Sequence, residues 1–248
     1  MLGNDFIKLV VICGKNCYNT LKGEEWRYRV LMISRSIANL FTGYNWMIIP
    51  AAFFTIVLHE MAHGFVAYLL GDRTAKNAGR LTLNPIKHID VWGLIAMILF
   101  KFGWAKPVPV NPCYFKNRRG GMALTAFAGP ASNLLLATAA LLILKILSSI
   151  PIASEFVFEL ILGAATFVQI FAILNVGLAI FNLIPIPPLD GSKILNSILP
   201  ERIYFKIMRY EQYGFIILIL LLNIPIFNGL ITQIRSFVYE MLCLIVGL

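Results

Sequence analysis

Charge is what this chain has least of: 13% of its 248 residues are Asp, Glu, Lys or Arg, where soluble domains carry about 25%. Hydrophobic residues make up 59%, and the mean hydropathy is +0.79. So few polar groups cannot cover a surface facing water. An ordinary soluble domain is excluded, and lipid is the solvent for much of the molecule. Acids are scarcer than bases, 12 against 21. The excess of +9 does not imply nucleic acid, because most basic residues fall in short loops between apolar runs and no nucleic-acid motif occurs. Cysteine is sparse as well. Cys13, Cys17, Cys113 and Cys243 lack paired metal-ligand spacing and read as buried, inert thiols. The opening residues, MLGNDFIKLVVICGK, carry an early acid and too short an apolar run for a cleaved signal peptide, so no cleavage is expected.

What is present in quantity is apolar sequence in lengths that cross a bilayer, about 20 residues each. The expected architecture is an all-α polytopic membrane protein, a bundle of about 4–6 transmembrane helices. Residues 1–44 hold six basic residues and no clean span, and EEWRYRVLMISRSI within them suits an amphipathic surface helix. The first span starts near Asn45 or Pro50 and ends at Leu70, where Gly71 and Asp72 stop it. After it, GRLTLNP alternates like a strand and KPVPVNP is extended by its prolines, which predicts a small extended or β-hairpin element. Residues 91–104 are apolar but short for a crossing, as in a re-entrant segment. Further spans are expected over 121–147, rich in small residues, and 156–184. Residues 216–248 are expected to supply one or two C-terminal membrane segments broken at Pro225.

Loop charge sets orientation. Segment 148–158 has Glu155 and no Lys or Arg, whereas 101–119 and 193–209 are basic. The basic segments are expected in the cytoplasm of a multi-pass cell-membrane protein.

Between Arg35 and Asp72 the only formally charged side chain is Glu60. A carboxylate at the centre of a membrane helix costs roughly 2.5–3.5 kcal/mol even on lenient scales. It is flanked by His59 and His63, one helical turn apart and pointing the same way, a spacing suited to one metal ion. Glu60 is rotated by about 100° from His59, beside the imidazole pair, where it can take a proton from water on a metal. Two imidazoles and a carboxylate base in this order constitute the His-Glu-x-x-His pattern of zinc hydrolases.

A catalytic zinc needs a third protein ligand and one open position. No Glu lies between Glu60 and Glu155, so the candidates are Asp72, His88, Asp90 and Asp190. Depth favours Asp190. It follows the end of the 156–184 span, on the side where His59 and His63 lie, and Pro185, Pro187 and Pro188 open the backbone there. Asp72 sits at a helix end, and His88 and Asp90 are better placed to cap or anchor the strand-like stretch. A membrane metal-ion carrier using the His pair and Asp190 as a transit site is the reading from another class. A carrier needs polar residues along a path across the bilayer, whereas these collect towards one end.

With those residues in hand, the chain resembles the site-2 protease family of intramembrane zinc metalloproteases. HEMAH at 59–63 matches the first motif, NLIPIPPLDG at 182–191 the second, and AGPASN at 128–133 the Gly-Pro-x-x-Asn element between them. GRLTLNPIKHID and FGWAKPVPVNP extend the match over about 45–215, in the manner of the small prokaryotic branch without a PDZ or CBS domain. HIDVWG departs from the proline-bearing turn common in that branch, and residues 1–44 are longer than expected. The resemblance implies one zinc per chain held by His59, His63 and Asp190, and Glu60 as base. It implies hydrolysis of a peptide bond inside a substrate's transmembrane helix, the substrate being a single-pass membrane protein or signal-peptide remnant. Asn182 falls where the family is thought to steady the oxyanion; an interhelical hydrogen bond or a helix-end cap is the alternative. Asn133 reads as a packing and hydrogen-bonding residue. A helical substrate must be unwound before attack, and the extended segments could pair with it edge to edge.

Overall fold

The computed structural model describes residues 47–84, 87–88, 90, 106–151, 154–200 and 211–248. The tail over 1–44, the re-entrant reading of 91–104, and Cys13 and Cys17 lie outside these residues. Seven α-helices follow in order among those described: α1 Ile48–Leu69, α2 Thr74–Asn77, α3 Arg118–Ser148, α4 Glu155–Asn182, α5 Asp190–Ile198, α6 Glu211–Asn223 and α7 Pro225–Val246. A 3₁₀ turn, Pro112–Tyr114, precedes α3.

Four of these helices, α1, α3, α4 and α7, are long and apolar enough to cross a membrane, and only 17 to 33% of each apolar window is buried within the protein. The rest presents Phe54, Phe65, Leu135, Ile146 and Phe156 outward. In water that surface would be a severe liability; in lipid it is the ordinary exterior. The chain is thus an all-α multi-pass membrane protein. At the C-terminal end, α6 has 13 residues among those described, and Pro225 opens α7 as a separate 22-residue span.

Local chemistry sets the helix limits. α1 ends in a paired motif: Gly71 N–H donates to Tyr68 O at 3.1 Å and Asp72 N–H to Ala67 O at 2.9 Å. Gly71 has φ +105°, a conformation costly for any side chain. α3 begins three residues before the apolar run, because the Asn117 side chain accepts from Gly120 N–H at 3.0 Å and so caps a first turn containing Arg118 and Arg119. Ser154 does the same for α4, accepting from Val157 N–H at 3.3 Å.

No β-ladder forms among the described residues. Residues 81–83 are bends, while 106–111 are extended without a ladder, tied by Lys106 N–H to His88 O at 2.9 Å. Prolines account for this. Pro107 and Pro109 have no N–H, and Val108 and Asn111 spend theirs on carboxylates of α1 and its C-terminal end. The segment is therefore a strap rather than a free sheet edge.

Chain contacts define two units. One comprises 1–52, 135–176 and 234–248; among its described residues, Ala51 and Ile170 are packed by Ile48, Phe167, Phe171 and Leu174, and Lys145 Nζ donates to Val246 O at 2.7 Å. The other comprises 53–134 and 177–233 and contains every residue of the site.

Candidate metal centre

His59 and His63 project from the same side of α1, and both are buried. Their Nε2 atoms lie 3.0 Å apart. Asp190 joins them from the first residue of α5, its Oδ2 lying 3.1 Å from His59 Nε2 and 3.0 Å from His63 Nε2. These three residues form a possible metal-binding site among the described residues. The chain of Ile184–Leu189 turns back to deliver Asp190, and Gly191 permits the close approach: a Cβ there would lie 2.3 Å from Leu183 O.

The donor chemistry fits a zinc ion. The carbonyl of Thr125 lies 2.7 Å from His63 Nδ1 and can only accept, so a ring hydrogen resides on Nδ1, and in the neutral ring Nε2 is then the lone pair available to a metal. That lone pair, the second imidazole and a carboxylate oxygen converge at 3.0–3.1 Å. Atoms of this kind so close together need a hydrogen or a cation among them, and a zinc ion can take that place when each presents a lone pair. Tetrahedral zinc with bonds of ~2.0–2.2 Å spaces its ligands by about 3.4 Å, close to the triangle seen. Each ligand also has an outer partner: Thr125 O for His63, the Asn133 carboxamide at 3.2 Å for His59 Nδ1, and Lys193 Nζ at 3.2 Å for Asp190 Oδ1. Such partners fix ring orientation and ligand basicity.

Glu60 is half-buried, and its Oε2 accepts from Val108 N–H at 2.9 Å. The strap thus holds the carboxylate by one oxygen, and the second oxygen is not needed for that bond. Leu81 and Val108 both close on Gly64, where a Cβ would meet them at 2.8 and 2.9 Å. Asn182 is not drawn into the triangle; its Nδ2 donates to Leu178 O at 3.1 Å, one turn back in α4.

The competing third-ligand candidates have other duties. His88 is buried and pairs through Nε2 with Thr82 O at 2.9 Å, anchoring the bend as an anchor residue should. Asp90 does not belong to the three-residue cluster. Asp72 is fully buried and clasps two segments. Its Oδ1 accepts from the Thr74 N–H and hydroxyl, and its Oδ2 from Asn111 N–H at 2.6 Å. Burial alone would raise its carboxyl, but the Thr74 hydroxyl and the Asn111 and Thr74 amides override this and hold it below the ordinary value. The sign follows: this clasp stabilises fully above the unfolded carboxyl value, about 3.9, and is lost as pH falls through the lower folded value. Asp72→Asn is expected to cost about 1–3 kcal/mol near neutral pH, with the gap from wild type closing below about pH 4. Thermal melts across pH check this, and a gap that persists in acid would show that the charge is not what matters.

Sequence reasoning does not reach Thr125, whose contribution is a backbone carbonyl, nor Lys193, nor the place of Asn133 beside His59. Cys113 is exposed rather than buried; Cys243 is buried.

The model for Peptidase family M50 matches residues 47–223. A curated relative, "Putative zinc metalloprotease YwhC" of Bacillus subtilis (strain 168), is 40% identical over 190 residues, covering 75% of this chain and 86% of its own. "Putative zinc metalloprotease Rip2" of Mycolicibacterium smegmatis (strain ATCC 700084 / mc(2)155) is 29% identical over 194 residues, covering 76% and 71%. No solved structure matches.

Proposed function

Because the chain belongs to peptidase family M50, the site-2 protease family of zinc metalloproteases, we propose that it hydrolyses a peptide bond within or next to a transmembrane segment of a membrane-protein substrate. One observation carries this reading: the two imidazoles lie well inside a 22-residue apolar helix. At 1.5 Å per residue, His63 is about 9 Å and His59 about 15 Å short of the end of α1. A bond cut there must come to the site through lipid. A metal carrier needs polar stations across the bilayer, whereas these three donors gather at a single place. Loop charge supports a site towards the cytoplasmic side, since the strap, the link after it and the first turn of α3 carry Lys106, Lys116, Arg118 and Arg119.

In this reading His59, His63 and Asp190 hold zinc. When bound, zinc supplies Lewis acidity and lowers the pKa of water to about 7. Glu60 takes a proton through the oxygen not engaged by Val108 N–H and delivers it to the leaving amine. Val108 N–H fixes the orientation of that base, and Lys193 keeps Asp190 turned with Oδ2 towards the histidines. In the same proposal Asn182, the last residue of α4, steadies negative charge on the carbonyl once its amide leaves Leu178 O.

The test is reconstitution of the full chain with a single-pass substrate and, separately, an unfolded soluble peptide of equal length. Wild type, with about one zinc per chain, is expected to cut only the former, inside its apolar stretch, and to release the fragment to the cytoplasm in cells. Asp190→Ala is expected to lose most of the zinc and all detectable cleavage. Equal cutting of the soluble peptide would refute the intramembrane reading, and zinc retained in the variant would remove Asp190 from the ligand set.

A further inference from the structure

Asn133 stands on α3 one turn beyond Gly129 and is fully buried. Its carboxamide faces the ring of His59, with Nδ2 3.2 Å from Nδ1, while Oδ1 is buried without a hydrogen-bond partner. The far nitrogen of the same ring, Nε2, is the one that meets Asp190 and His63. An imidazole that gives its Nε2 lone pair to a cation keeps its hydrogen on Nδ1. The Nδ1–H and the amide group would then be two donors facing each other, with the only acceptor of the pair stranded. A half-turn of the carboxamide about its terminal bond exchanges oxygen and nitrogen at almost no change in volume. Oδ1 then accepts from Nδ1–H, and both faults vanish together.

We propose that Asn133 is a positioning residue that accepts from His59 Nδ1–H through Oδ1 and so keeps Nε2 free for zinc. It does for His59 what the Thr125 carbonyl does for His63. The two devices differ in kind. A backbone carbonyl can only accept, so the hydrogen of His63 is fixed by the fold. An amide can present either end. With Nδ2 towards the ring, the hydrogen of His59 moves to Nε2, where it points at Asp190 Oδ2, and the ring cannot ligate. With Oδ1 towards the ring, the site is ready for the ion. The orientation of one side chain thus separates a ligand-free arrangement from a zinc-competent one. This inference rests on the zinc reading of His59, His63 and Asp190.

The experiment is equilibrium zinc affinity of the full chain in detergent, by competition with a chromogenic chelator, for wild type, Asn133→Leu and Asn133→Asp. Leu has similar volume and no acceptor, and its affinity is expected to fall ~10–100-fold. Asp offers oxygens only, and its affinity is expected to stay within ~3-fold of wild type or to exceed it. Unchanged affinity in the Leu variant would overturn the proposal. So would an Asp variant that folds with wild-type helix content and melting but binds as weakly as Leu, because the amide N–H would then be the working group. If the Leu variant does not accumulate as folded protein, the Asp variant decides alone: retained affinity upholds acceptance through Oδ1, and lost affinity overturns it. Absence of zinc binding in wild type is a separate failure, that of the ligand set itself.

Discussion

Glu60→Gln is expected to retain zinc and fold while peptide cleavage falls by about 10²–10⁴-fold, the range of a lost general base. The substitution removes little else. Glu60 is held through Oε2 by Val108 N–H, and the amide oxygen of Gln can accept that same bond, so the strap stays docked. The cost in stability should be at most about 1 kcal/mol. Glu60 is not one of the three clustered donors, so zinc content should remain near that of wild type. What disappears is the second oxygen's capacity to take a proton, because an amide nitrogen is no base. Zinc per chain and cleavage of the single-pass substrate, measured on one preparation, separate the outcomes. Zinc lost with activity would make Glu60 part of the metal's surroundings rather than its base. Cleavage within a few fold of wild type would assign proton transfer to another group.

This variant also explains why a membrane helix tolerates an acid. Glu60 is half-buried and hydrogen-bonded, so it faces the strap rather than hydrocarbon. The cost of an unpaired carboxylate in lipid is avoided by a backbone donor brought from 48 residues away in sequence.

Helix periodicity alone makes the centre of this site legible in the sequence. His59 and His63 are neighbours because four residues make about one turn, and no distant part of the chain is needed to say so. Asp190 is reachable by depth and by resemblance, since the helix before it ends on the same side. The spans are legible from hydropathy, but their ends are not: α3 starts at Arg118 because the Asn117 side chain caps it, and hydropathy sees only two arginines there. GRLTLNP has the alternation of a strand, yet residues 81–83 bend, because no partner ladder forms among the described residues and the neighbouring strap lacks donors at Pro107 and Pro109. Asn133 is legible in sequence as a packing and hydrogen-bonding residue, but its partner, His59, is not, being 74 residues away. The side chain of Thr125 carries no signal at all, since its backbone carbonyl is what approaches His63.

Gly129→Ala should be nearly as damaging as the loss of a ligand, although Gly129 ligates nothing. A Cβ at this position would sit 2.4 Å from His63 Cε1, 2.5 Å from His59 Cε1 and 2.5 Å from His63 Nε2. Contacts that short cannot be absorbed by rotating a flexible tip; either both imidazoles move or α3 withdraws from α1. The same helix carries the two outer partners, Thr125 and Asn133, so withdrawal breaks those hydrogen bonds as well. A displacement of about 1 Å costs about 10²-fold in rate at a preorganised site, and zinc affinity should weaken by at least ~10-fold. Stability moves far less. Overpacking costs about 1–3 kcal/mol, but Ala is better than Gly inside a helix by about 1 kcal/mol, which offsets part of it. The expected protein is therefore folded, membrane-inserted and deficient in zinc. Helix content and melting temperature near wild type, beside zinc well below one per chain, would identify steric displacement as the cause. Wild-type zinc and cleavage in Gly129→Ala would mean that α3 does not approach the histidines as closely as this packing requires. Gly129→Ser should be worse still, because its larger side chain must also find a partner for a hydroxyl beside two imidazoles.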